Sequence, residues 1–461
     1  MTINDQPLYI YSMPSADQPS NMEIKPVSFR VAFWYWLKLG FLSFGGPAGQ
    51  ISMMHQDLVE DRRWISEHRF LHALNFTMLL PGPEAQQLAT YIGWLMHGVW
   101  GGIVAGTLFV LPSLFILVAL SWMYVAYHDV SAVAAILYGV KPAVTAIVVF
   151  AACRIGSRVL KNPVLVLFAA ASFVSIAILK IPFPLIILSA AILGYMGSRI
   201  APDKFVIGNS HSAKEKSYGP ALIDDHTPVP EHAKFNRNHL YRYCLYGMML
   251  WIIPMLFLFY QYGWHSALTQ MGWFFTKAAL LTFGGAYAVL PYVYQGGVEY
   301  YGWLTATQMI DGLALGESTP GPLIMVVAFI GFLGGWTTEV FGPDKLIYAG
   351  VIAACLVTYF TFLPSFLFIF IGAPAIEATR HEIGFTAPLT GITAAVVGVI
   401  LNLAVMFAYH VLWPEGMAGS FEWTALLIGI GAFIALFYYR VGIPGLIVVC
   451  AAIGVGISYL P

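Results

Sequence analysis

The sequence predicts an all-α polytopic membrane protein whose two homologous halves form an inverted-topology repeat, and three observations carry that reading. The chain is 59% hydrophobic and only 10% charged, with a mean hydropathy of +0.75, whereas soluble domains are about 25% charged. A proline-glycine-proline break interrupts an apolar stretch at Pro81-Gly82-Pro83 and returns 239 residues later at Pro320-Gly321-Pro322. The basic residues of the loops favour one side of the membrane in the first half and the other side in the second.

Residues 1–27 are polar, rich in Ser, Pro and Asn, and have no apolar core of the kind a cleaved signal needs, so they read as a disordered cytoplasmic tail. The first repeat, 28–198, opens with two apolar segments broken at Phe44-Gly45-Gly46 and at Pro81-Gly82-Pro83. Unbroken segments follow at roughly 98–125, 132–153, 163–179 and 182–198, read as spans of a ~30 Å core. A polar linker, 199–242, precedes a single extra transmembrane helix at 243–263 that has no partner in the first half. The second repeat, 264–461, is broken at Phe283-Gly284-Gly285 and Pro320-Gly321-Pro322 and continues through 346–371, 387–410, 423–439 and 443–459. At the 239-residue shift Lys38 meets Lys277, Gln56 meets Gln295, Glu60 meets Glu299 and Trp64 meets Trp303. Further on, Leu111-Pro112-Ser113 matches Leu363-Pro364-Ser365, and Lys180 with Pro184 matches Arg440 with Pro444. That register is the signature of a tandem duplication.

One unpaired crossing between the halves turns the second upside down, and the charges agree. Arg62, Arg63 and Arg69 fill the loop between the broken segments of the first half, while the corresponding stretch, 296–308, has Glu299 and no Lys or Arg. Arg154, Arg158 and Lys161 face a counterpart, 411–422, that carries Glu415 and Glu422. The basic linker, with Arg199, Lys204, Lys214, Lys216, Lys234, Arg237 and Arg242, then falls in the cytoplasm together with Lys25 and Arg30 of the amino terminus. The broken segments are accordingly expected as re-entrant hairpins whose arms of about 12 residues reach ~18 Å, with full crossings as the alternative.

Proline and glycine at membrane depth free backbone groups that must find partners in protein or in a wet cavity. A helix restarting there offers unpaired N–H groups and the positive end of its dipole, which suits an anion. Gly45, Gly46 and Gly82, with Gly284, Gly285 and Gly321 in the second half, are therefore candidate ligand-approach points; glycines that let helices pack closely are the competing account. Lys38 and Lys277 precede the glycines by about two helical turns and supply either charge for the anion or snorkelling anchors. Glu84 follows Pro83 and Glu317 precedes Pro320; each is a candidate proton-titrating group, and for Glu84 a carboxylate stabilising a helix start is the rival. Gln86, Gln87, Ser43, Asn75 and Thr77 are neutral donors nearby.

Other classes are set aside. A net charge of −1 offers no field for nucleic acid. Cys153, Cys244, Cys355 and Cys450 stand apart and read as small core residues, and His55, His68 and His72 read as surface histidines without metal spacing. No metal cluster or nucleophile–base pair supports an enzyme, and no cofactor is expected. Trp34, Trp36, Trp64 and Trp303 read as interfacial anchors.

The Phe44-Gly45-Gly46-Pro47 break, the run from Pro81 through Glu84, Gln86 and Gln87 to Gly93, and the duplicated layout together closely resemble the long two-domain form of the chromate ion transporter family. The resemblance implies a multi-pass carrier of the cytoplasmic (inner) membrane that exports chromate and confers chromate resistance, with the Phe-Gly-Gly and Pro-Gly-Pro positions lining the substrate path. The second half departs at Ala286, where the first has Pro47, and at Leu323, where the first has Glu84. Tetrahedral oxyanions fit the residues too, since four oxygens accept from several donors at once. Uptake or exchange of sulfate or another oxyanion is the nearest alternative, and an anion channel the next. Protons are candidate coupling ions, and a homodimer is among the assemblies the sequence permits.

Overall fold

The computed structural model describes residues 26–127, 130–205, 218–225, 227–228, 230–379 and 386–459. The expected tail up to residue 25, and Lys214 and Lys216 of the linker, lie outside them. Sixteen α-helices make up the architecture of the described residues. The first half comprises α1 (Phe29–Leu42), α2 (Gly46–His55), α3 (Glu67–Leu79), α4 (Glu84–Tyr127), α5 (Ser131–Val159), α6 (Pro163–Ala177) and α7 (Phe183–Ile200). After α8 (Arg237–Tyr262) come α9 (Ala267–Leu280), α10 (Ala286–Tyr294), α11 (Ala306–Ser318), α12 (Val326–Thr337), α13 (Leu346–Thr379), α14 (Thr386–Leu412), α15 (Trp423–Phe437) and α16 (Ile443–Ser458). Six of these are long and apolar enough to cross a membrane: α4, α5, α7, α8, α13 and α14.

The duplication reaches the level of single dihedral angles. A π-helical turn follows α2 at Gln56–Asp61 and another follows α10 at Gln295–Tyr300. Arg63 (φ 55°) and Gly302 (φ 64°) hold the same left-handed position after those turns, and Lys180 (φ 54°) and Arg440 (φ 53°) hold another. Ser66 caps α3 by accepting from the Arg69 N–H, and Thr305 caps α11 in a reciprocal capping box with Gln308. The α4 stretch differs from its counterpart: it runs through a kink at His97 and Gly98, whereas α12 and α13 are separate helices.

Two expectations shift. The third unbroken segments end early, since α6 and α15 are 15 residues each and reach about 22 Å, short of a ~30 Å core, and α16, with 16 residues, falls short as well. The cysteines are not all interior: Cys450 is buried, but Cys153 and Cys355 are exposed. On the outside of the bundle, α8 presents Met248, Leu256, Phe257 and Tyr260 outward, as a helix bordered by lipid would.

The halves exchange helices. Helix α5 packs against α15 and α16 of the second half, and α14 packs against α6 and α7 of the first. Small residues make this approach close. A Cβ on Gly139 would lie 2.8 Å from the Gly454 nitrogen, and one on Gly391 would lie 2.6 Å from the Ala190 carbonyl oxygen.

Part of the linker is fixed to the first half. Ser66 N–H donates to Ile223 O at 3.0 Å, Leu222 N–H to Arg63 O at 2.9 Å and Ile223 N–H to Trp64 O at 3.1 Å, pairing residues 222–223 with 63–66 like a short strand. Ser66 Oγ donates to Asp225 at 2.8 Å, and His68 lies 3.3 Å from the same carboxylate. A second anchor sits at the α4 kink, where His232 Nε2 is 2.9 Å from Trp94 O. Asp225→Ala removes the acceptor of Ser66 and the partner of His68, so it is expected to weaken this strap by about 1 kcal/mol and to speed protease cleavage of the linker several-fold in limited-digestion time courses.

Candidate site at the crossed helix breaks

Each break needs glycine for its backbone. Gly45 (φ 88°), Gly46 (φ 71°), Gly284 (φ 78°) and Gly285 (φ 95°) turn the chain at the Phe-Gly-Gly motifs, and Gly82 (φ 129°) and Gly321 (φ 103°) turn it at Pro-Gly-Pro. The two kinds of break then meet across the halves. Gly82 N–H donates to Thr282 O at 2.8 Å, and Gly321 N–H donates to Ser43 O at 2.8 Å. Ser43 and Thr282 are equivalent residues, each just ahead of Phe-Gly-Gly. Every Pro-Gly-Pro turn is thus closed on the opposite half's Phe-Gly-Gly entry. The N–H groups of Gly82 and Gly321 are thus engaged with protein carbonyls. The starts of α2 and α10, at Gly45 and Gly285, carry no side-chain cap.

Amide side chains reinforce both crossings, and both come from the first half. Gln87 Nε2 donates to Pro81 O at 2.8 Å beside Gly82, and Gln50 Nε2 donates to Gly321 O at 2.6 Å and to Ser43 O at 3.3 Å. In the second half valines, Val326 and Val289, occupy the corresponding positions. The side-chain oxygens of Gln50, Gln86 and Gln87 and the hydroxyls of Ser43, Ser113 and Ser365 are buried without a hydrogen-bond partner. Buried polar groups in this state are uncommon and point to an occupant or a function.

The structure therefore brings Gly82 and Gln87 together with Thr282 and Ser365 at one crossing, and Ser43 and Gly321 together with Gln50 and Ser113 at the other; Gln50, Thr282, Ser113 and Ser365 are residues the sequence reading did not select for the site. Gln86 sits one turn along α4 and donates to Thr90 Oγ1 at 3.1 Å. Glu84 is half-buried in the first turn of α4, and Glu317, buried near the end of α11, accepts a hydrogen bond from Tyr287 Oη. Gly45 and Gly284 are exposed, Gly46 and Gly285 half-buried, and a Cβ on Gly45, Gly46 or Gly285 meets nothing within 4 Å. Lys38 is exposed on α1, and the Lys277 ammonium lies over the Trp273 ring, 5.6 Å from its centre. Thr77 donates to its own helix at Leu74 O, and Asn75 is exposed.

Two buried charge clusters join the halves. Arg69, read from the sequence as a loop charge, is buried on α3 and lies 3.1 Å from Glu377 of α13, which also accepts from Tyr91 Oη. Asp311 of α11 accepts from Tyr124 Oη at 3.0 Å and faces the Lys141 ammonium at 3.7 Å. Among the histidines, His55 is half-buried between Glu60 and Glu67 rather than on the surface. Of the four tryptophans expected as interfacial anchors only Trp34 is exposed; Trp36, Trp64 and Trp303 are buried. Arg62 covers Trp64, and Tyr301 stacks on Trp303 at 4.4 Å, so folded loops replace the membrane interface around those rings.

Comparison with known proteins gives a consistent result. The sequence model of one family, described as Chromate transporter, matches residues 31–195 and again 269–455. The chain is 30% identical to a chromate transport protein of Cupriavidus metallidurans over 83% of both chains. It is 30% identical to a probable chromate transport protein of Synechococcus elongatus over 95% of this chain and 98% of the other. A chromate transport protein of Pseudomonas aeruginosa is 33% identical over 86% of this chain and 88% of its own. No solved structure matches.

Proposed function

This chain belongs to the chromate transporter family, and from that premise we propose that it exports chromate across the cytoplasmic membrane through the crossed breaks. The observation that carries this reading is the pair of reciprocal hydrogen bonds, Gly82 to Thr282 and Gly321 to Ser43, set beside the buried hydroxyls of Ser43, Ser113 and Ser365, which have no protein partner. A tetrahedral dianion accepts from several donors at once, and hydroxyls arranged around it satisfy both the anion and themselves. The halves stand in opposite senses in the membrane, with the amino terminus and linker cytoplasmic, as the basic loops indicate. Transport then proceeds by alternating access, the hairpins of one half rocking against those of the other, so that the two crossings open in turn.

The driving force needs no cofactor. Moving two negative charges outward gains about 4.6 kcal/mol per 100 mV, a concentration ratio of roughly a thousandfold. Glu84 and Glu317, flanking the two Pro-Gly-Pro turns, are the groups through which a proton would couple, since a protonated carboxyl tolerates an adjacent anion and an ionised one repels it.

Chromate accumulation in sensitive cells, at matched membrane expression and varied external sulfate, tests the reading. Lower accumulation with the chain than with an empty control is expected; equal accumulation rejects export, and a sulfate-dependent rise identifies an oxyanion uptake carrier instead. In proteoliposomes clamped at zero potential, a pH gradient alone should drive chromate flux, and Glu84→Gln should lose that component while retaining flux driven by potential.

A further inference from the structure

Ser113 and Ser365 are the same residue of the two repeats, each following a proline in the middle of a long helix, α4 or α13. A buried hydroxyl on a helix ordinarily bonds to the carbonyl one turn back. The neighbours do so: Ser121 donates to Leu117 O at 2.6 Å, Thr358 to Ala354 O at 2.8 Å and Thr361 to Val357 O at 2.7 Å. Ser113 is 1% exposed and Ser365 is fully buried, yet neither hydroxyl has any partner.

Their surroundings explain where they point. A Cβ placed on Gly321 would fall 2.7 Å from Ser113 Cβ and 3.1 Å from its Oγ, and one placed on Gly82 would collide with Ser365 Oγ. Each serine thus reaches across the pseudo-symmetric interface to the Pro-Gly-Pro turn of the other half. At that turn the glycine N–H is already engaged, and an amide, Gln87 or Gln50, stands alongside. A hydroxyl can rotate to donate without moving the backbone, so the serine at each crossing can offer a hydrogen bond to an anion while the crossing stays intact.

We propose that Ser113 and Ser365 are a matched pair of substrate-binding hydroxyls, one from each half, that donate to two oxygens of a tetrahedral oxyanion dianion held between the crossed breaks. The proposal rests on the transport reading above and adds to it the residues that recognise the substrate. It also assigns recognition to unbroken helices, whereas the broken segments supply the turn that lets the anion approach.

The test uses the full-length chain purified in detergent, with chromate binding measured by equilibrium dialysis and thermal unfolding measured on the same samples. Ser113→Ala and Ser365→Ala should each weaken chromate binding about tenfold, and the double variant about a hundredfold, as expected for lost hydrogen bonds to a charged ligand. Because neither hydroxyl has a protein partner to abandon, the unfolding temperature should stay constant or rise. Ser113→Cys and Ser365→Cys, which keep the volume with a weaker donor, should fall between wild type and alanine. Wild-type binding that persists unchanged in the alanine variants overturns the serine assignment and leaves the transport reading standing. A fall in unfolding temperature with affinity preserved overturns it as well, marking the serines as structural. If the wild-type chain binds neither chromate nor sulfate, the transport reading itself fails, and this assignment with it.

Discussion

Replacing Gly82 with leucine is expected to lower chromate flux at least a hundredfold at equal membrane abundance. Gly82 has φ 129°, a region that side chains rarely enter, and forcing one there costs about 1–3 kcal/mol. Any Cβ would also strike Ser365 Oγ and the Gln87 amide, adding roughly 1–3 kcal/mol of overpacking. Relief requires the turn to back away, which breaks the Gly82 to Thr282 bond that closes the crossing. These costs fall on the closed crossing, and each ~1.4 kcal/mol shifts its equilibrium with the opened one tenfold, so even the middle of this range suffices. Gly321→Leu should behave alike, because Ser113 fills the same place on its side. Gly45→Ala is the contrast: its φ of 88° carries strain, but a Cβ meets nothing within 4 Å, so only ~1–2 kcal/mol of stability and a few-fold of flux are at stake. Initial-rate flux in proteoliposomes decides the matter; a Gly82→Leu variant with wild-type flux would remove the crossing from the transport path.

The second large effect is on stability. Glu377→Ala leaves the Arg69 guanidinium buried without its carboxylate and strips Tyr91 of its acceptor. Breaking a buried pair in this way costs about 3–5 kcal/mol, and the loss should appear as a marked drop in unfolding temperature and in membrane yield. The paired change Arg69→Met with Glu377→Leu removes both charges together and should recover most of that loss, since the desolvation penalty goes with the ions. Recovery would show that the loss in Glu377→Ala is the cost of leaving the Arg69 charge buried and unpaired; persistence of the full loss with the double variant would show that the pair itself, with the packing around it, holds α3 to α13.

How much of this could be read from the chain depends on whether a feature is local. The duplication was legible because the repeated glycines and prolines mark fixed backbone states, and the structure returns the same left-handed turn at Lys180 and Arg440. Segment lengths were less so, since apolar residues continue to Leu179 while the helix has already ended by Ala177, ahead of Lys180 and Pro182. Apolarity records immersion; the proline and the left-handed residue record where hydrogen bonding stops. Tryptophans at segment ends look alike whether they face lipid or a folded loop, and only tertiary structure separates Trp34 from Trp64 and Trp303. The candidate site was half visible. Gly82, Gln87, Ser43 and Gly321 announce themselves by the breaks, but Gln50 is a single amide in a short helix, and Ser113 and Ser365 register in the sequence only as markers of the repeat. Their meaning comes from contacts between halves more than 200 residues apart, which no local pattern encodes.

The exchange of α5 and α14 between the halves also has a price in time. Helix α5 is made early, yet much of the surface that covers it belongs to α14, α15 and α16, far along the chain. About 300 residues separate the end of α5 from the end of α16, and at ~5–20 residues per second of synthesis they take roughly 15–60 s to arrive. For that interval Gly139 and its neighbours have no Gly454 to lean on, and the first half sits in the membrane with an open groove. The nascent chain therefore has to be sheltered by the insertion machinery or by lipid until α16 is delivered, and a ribosome that stalls before it leaves behind an unclosed bundle.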